Sequence, residues 1–89
     1  MSGDMKKTVV AILVSHRNQA ASNVQKVLTG WGCMIKTRLG IHEGVLDDCS
    51  EKGLIVLDLV GEDEKKEELV RKLNALSGVN AKRIDLELD

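Results

Sequence analysis

The chain has 89 residues, 43% hydrophobic and 30% charged, with a formal net charge of −1. That is the length of one domain with a modest core, and its even charge balance lacks the basic footprint of a direct nucleic-acid binder. Proline is absent and Trp31 is the only aromatic residue, so the core must be aliphatic and no ring platform exists for stacking bases.

Residues 1–7, MSGDMKK, are expected to be a disordered lead-in, and 8–89 a single domain. Residues 8–14 (TVVAILV) form a continuous β-branched and aliphatic run, the pattern of a strand buried on both faces. The run has no small-residue cleavage site and leads into polar sequence, so it does not read as a signal peptide. No apolar stretch approaches the roughly 20 residues needed to span a bilayer. A cytoplasmic location is expected, with Cys33 and Cys49 as reduced thiols.

After the polar SHRN, Ala21, Val24, Val27, Leu28 and Trp31 recur at helical spacing. Asn18 suits the N-cap, and Gly30 or Gly32 the stop. Ile35, Thr37, Leu39 and Ile41 then alternate with Lys36, Arg38, Gly40 and His42, which predicts a half-buried strand. A turn segment follows, and residues 54–60 (LIVLDLV) make a third strand. Residues 61–78 carry the clearest helix. Its acidic first turn suits the helix dipole, and Leu69, Val70, Leu73 and Leu76 form its buried stripe. Gly78 should end it, and Ile84, Leu86 and Leu88 alternate in a last strand.

The two halves repeat at an offset of about 45 residues, matching Val9 with Leu54, Ile12 with Leu57, Val24 with Leu69, Leu28 with Leu73, Leu39 with Ile84 and Ile41 with Leu86. Two β-α-β halves related in this way predict an α+β, ferredoxin-like βαββαβ fold, a four-stranded antiparallel sheet with two helices on one face. Whichever alternate residues of the central strands face the helices, the other set is also apolar. A patch of several hundred Å² left open in this way marks an interaction site. A second copy of the chain, as a dimer or a tetramer, is its simplest cover.

Between the second and third strands, "IHEGVLDDCSEKG" gathers His42, Glu43, Asp47, Asp48 and Cys49. Imidazole, thiolate and carboxylate are suitable ligands for nickel, zinc or iron, and His42 with Cys49 is the candidate metal pair. The spacing also suits a simple turn. Gly40 offers no side chain two residues before His42, Glu43 points to the opposite face if the strand continues, and Gly44, Asp47, Asp48, Ser50 and Gly53 are turn formers. Gly40 can equally mark a bulge, and Arg38 a solvated strand charge. His16, with Arg17, stands in the first strand-to-helix turn, as an anion contact or as an ordinary loop residue. No nucleophile motif, Walker loop, CxxC pair or GxGxxG turn is present. The loop with Ser15, Arg17 and Asn18 is too short and glycine-free for a phosphate cradle of the acylphosphatase kind. The chain therefore reads as a non-catalytic protein.

With VVAILV, TRLGIHE, GLIVLDLVG and LSGV in these positions, nearly the whole chain resembles a family of small stand-alone ACT-like proteins named as regulators of the iron-only hydrogenase system. The resemblance implies an oligomeric, ACT-like regulatory module. It would bind a small-molecule effector or a hydrogenase-related protein through the strand-two hairpin, with Arg38, Gly40, His42 and Glu43 as the ligand-binding candidates. The same pattern is similar to the metal-sensing C-terminal domain of nickel-responsive repressors. There, two His residues one apart on the second strand, a Cys past the hairpin and a His from a neighbouring subunit hold nickel. On that pattern His42 matches the second His and Cys49 the Cys, while Gly40 replaces the first His and no His stands near Thr29 or Gly30. Those repressors carry a DNA-binding arm ahead of this domain, whereas seven residues precede the first expected strand here. Control of transcription would then run through a partner or a separate DNA-binding chain.

Overall fold

The computed structural model describes residues 5–15, 19–42 and 53–88, and for Ile41 and His42 the backbone alone. In chain order the elements are β1 (Met5–Val14), α1 (Ala20–Gly30), β2 (Ile35–His42), β3 (Gly53–Leu59), α2 (Asp63–Asn74) and β4 (Val79–Leu88), with a 3-10 turn over Gly32–Met34 leading into β2. The strands make one antiparallel sheet in the order β2-β3-β1-β4. This is the α+β ferredoxin-like arrangement that the β-α-β repeat predicts.

Element ends differ from the sequence pattern where main-chain pairing outruns apolar patterning. β1 begins at Met5, inside the segment expected to be a disordered lead-in, because Met5, Lys6 and Lys7 pair with Leu88, Glu87 and Leu86. The β1–β3 ladder stops at Thr8 and Leu59, so Met5–Lys7 and Leu86–Leu88 continue as a two-stranded ribbon beyond the body of the sheet. β4 likewise starts at Val79, not at Ile84. α1 is capped at Gln19, one residue after Asn18, and α2 ends at Asn74, short of Gly78. Asn18 itself lies outside the described residues.

Asn74 ends its helix by turning its amide onto the edge of the sheet. Its Nδ2 donates to the Ala81 carbonyl at 3.0 Å, and its Oδ1 accepts from the Ala81 N–H at 2.7 Å. Gly78, at φ +77°, then makes the turn into β4, where a Cβ would stand 2.9 Å from that of Ser15. Its carbonyl accepts the Ser15 N–H at 2.8 Å. A side chain there would meet both the backbone and the steric constraint.

Between helices and sheet lies an aliphatic core. Val10, Ile12 and Val14 of β1 and Ile55, Leu57 and Leu59 of β3 face Val24 and Leu28 of α1 and Leu69 and Leu73 of α2. Inner positions follow the repeat. Ala11 lies opposite Val56, and the two are repeat equivalents, so the local two-fold passes through that pair. The outer strands are out of step by two residues. Val9 pairs with Ile84 and its equivalent Leu54 with Ile41, so Ile84 matches Ile41, not Leu39. The slip accompanies an irregularity in β2 between Ile35 and Thr37, where an extra residue enters the strand.

Candidate functional site

Arg38, Gly40 and His42 occupy alternate positions of edge strand β2, opposite Leu57, Ile55 and Gly53. Leu57 and Ile55 are buried toward the helices, so Arg38 and Gly40 stand on the helix-covered side, both half-buried. Gly40 sits in regular register, so the alternative reading of it as a bulge does not apply; the irregularity of this strand lies earlier, between Ile35 and Thr37. Gly53, buried and at φ +115°, starts β3 beside the end of β2. Glu43 and Cys49 lie outside the described residues, as do His16 and Arg17 and the side chain of His42. Among the described residues no group of three His, Cys, Asp or Glu could hold a metal ion. Cys33 is an exposed free thiol after α1.

The open face of the sheet is the larger feature. Register puts Val9, Ala11 and Leu13 of β1 beside Leu54 and Val56 of β3, Leu39 of β2 and Ile84 of β4. No helix among the described residues covers them. Leu13 is 60% exposed, Leu39 57% and Ile84 46%, and the ribbon prolongs the strip through Leu86, Met5 and Leu88. Such an area is costly to leave in water, at about 25 cal/mol per Å². A two-stranded ribbon with one apolar side is also marginal on its own. The face is thus an uncovered, largely apolar surface.

A polar cluster that no sequence spacing announced lies at the other side of the ribbon, around a cavity of about 240 Å³ lined by Thr8, Lys66, Arg83, Asp85 and Glu87 among others. Thr8, the one buried polar residue among those described, donates to Asp85 Oδ1 at 2.9 Å and accepts from Lys66 Nζ at 2.7 Å. Arg83 donates from Nε to Asp85 at 3.0 Å, from Nη1 to Glu67 at 3.0 Å and from Nη2 to Asp63 at 2.7 Å. Bonding to Arg83, and then to Thr8, holds the Asp85 carboxyl below its ordinary range, while Asp85 in turn raises Arg83. Through Lys66, Arg83, Asp85, Asp63 and Glu67, the cluster ties the first turns of α2 to β1 and β4. It works as a clamp.

A depressed carboxyl contributes stability that is present above its unfolded pKa and is lost as the pH falls through its folded one. The melting temperature should therefore fall on acidification between about pH 5 and pH 2, and Asp85→Asn should flatten part of that fall. Circular dichroism melts across this range check it; parallel curves for the two chains would remove Asp85 from the acid response.

No helix among the described residues is long and apolar enough to cross a membrane. No protein-family model matches the chain, and no curated protein does. A solved structure of an uncharacterized protein from Thermotoga maritima is similar over 92% of this chain and 99% of that one, with a TM-score of 0.73 and 27% sequence identity. The chain thus shares its ferredoxin-like fold, nearly end to end, with another small protein.

Proposed function

We propose that the chain is a non-catalytic regulatory module, of the kind that acts on the iron-only hydrogenase system, and that it works as a homo-oligomer. The open apolar face of the sheet carries this reading, because a second copy is the simplest cover for it. The resemblance of TRLGIHE and GLIVLDLVG to the hydrogenase-system regulators supports the regulatory role, and the fold shared with a small Thermotoga protein is compatible with it. Regulation would follow from linkage. An effector that binds better to one assembly state shifts the population toward that state by its difference in affinity. The strand-two hairpin, with Arg38, Gly40, His42 and Glu43, is the proposed place for the effector or a hydrogenase-related partner.

Native mass spectrometry of tag-free protein, with and without nickel, zinc or ferrous iron, tests the reading. An oligomer whose size does not require metal is the expected result, and a monomer at micromolar concentration would overturn it. Stoichiometric metal uptake that disappears when His42 and Cys49 are both replaced by Ala would turn the module into a metal sensor or chaperone.

A further inference from the structure

Asp58 is the carboxylate of the open face, alone in that respect among the described residues. It sits in β3 beside Val9 of β1 and Thr37 of β2. Its Oδ1 is buried and has no hydrogen-bond donor among the described residues, and its Oδ2 has an ion pair with Lys7 stretched to 3.7 Å. A buried carboxylate oxygen without a donor is a net cost to the isolated chain. Lys82 is a second cation of this face, exposed on β4 opposite Ala11. Within one copy Asp58 and Lys82 are held apart, since β1 runs between their strands and neighbouring strands are about 4.8 Å from one another. Across two stacked sheets, about 10 Å apart, a lysine stem can approach a carboxylate on the facing sheet.

We infer that Asp58 receives Lys82 from a second copy stacked on the open face, and that this pair, formed twice about a two-fold axis, sets the register of the dimer. The inference rests on the homo-oligomeric reading above and specifies its chemistry. An isologous interface must be complementary to itself, and Asp58 with Lys82, opposite charges on the same face with β1 running between their strands, meet that condition. The terminal torsion of an aspartate is soft, so the carboxylate can turn its orphan oxygen toward a donor arriving from above the sheet. Apolar contacts through Leu39, Val56 and Leu13 would supply area, and the charge pair orientation.

The test uses two single variants of the full chain, Asp58→Lys and Lys82→Asp. In a homodimer of either, like charges face each other twice, so self-association should weaken at least tenfold relative to the unmodified chain. In a mixed dimer of the two, both pairs are opposite in charge, so mixing should yield a heterodimer in native mass spectra in preference to both homodimers. Thermal melts of each variant at low concentration confirm that it folds; Lys82→Asp, at an exposed position, should melt as the unmodified chain does. Homodimers that form as readily as the heterodimer would overturn the inference while leaving the oligomeric reading intact. An unmodified chain that stays monomeric would remove the reading, and the inference with it.

Discussion

A chain carrying Val56→Lys is expected to fold normally and to lose self-association by roughly 150-fold to several thousand-fold. Val56 lies at the centre of the open face, between Ala11 and Leu39. In a free chain the lysine stem can lie along the sheet with its ammonium in water. In an assembled pair the same ammonium would be buried without a partner, and the two-fold would bring two of them close. Burying an uncompensated charge costs about 3–5 kcal/mol, and each 1.4 kcal/mol is tenfold in affinity. Sedimentation velocity over a concentration series reads the association, and circular dichroism melts read the fold. If Val56→Lys associated as tightly as the unmodified chain, the open face would not be where copies meet.

The largest effect on folding is expected from Leu57→Ala, and from Ile12→Ala at the equivalent position of the first repeat. Both side chains are fully buried, one in each of the two central strands under the helices. Removing so much buried side chain costs about 2–5 kcal/mol, since the lost transfer energy is joined by the cavity left behind. Against a total of about 5–15 kcal/mol, that is a large share. In a domain of this size about 1 kcal/mol lowers Tm by 4–8 °C, so a fall of roughly ten degrees or more should follow. Leu13→Ala, at a 60% exposed position one residue from Ile12, should change the melt of the isolated chain far less. The comparison must be made at one low protein concentration, because binding between copies adds to apparent stability. Equal losses for Leu13→Ala and Ile12→Ala would contradict the division of the sheet into a helix face and an open face.

The strands and helices could be read from the chain because aliphatic residues recur with the period of each element. Which side of the sheet the helices cover could not. Val9 to Val14 is apolar at every position, so only the three-dimensional contacts put Val10, Ile12 and Val14 inside and leave Val9, Ala11 and Leu13 out. The ribbon was hidden for the opposite reason. Lys6 and Lys7 give no apolar signal, and only main-chain pairing with Leu86–Leu88 extends β1 that far. The Thr8–Asp85–Lys66 contacts depend on the β1–β4 register and on where α2 rests, neither of which any local spacing encodes. Alternation did place Arg38, Gly40 and His42 on one side of one strand, and the register agrees. The ligand question raised by Glu43 and Cys49 lies outside the described residues.

Asn74 has a consequence for strand pairing at the margin of the sheet. A bare strand edge accepts another strand, whose own far edge accepts the next, so edge addition has no natural end. The Asn74 amide already occupies the main-chain donor and acceptor of Ala81 on the β4 edge. At the other margin, β2 carries Lys36, Arg38 and an irregularity at Ile35/Thr37, which are devices that discourage strand addition. Sideways pairing is thus hindered at Ala81 on one margin and along β2 on the other. Association through the open face, as proposed, would differ in this respect, because a face that has been covered once has nothing further to offer. If copies do associate as proposed, such a molecule would form a closed assembly rather than an open one.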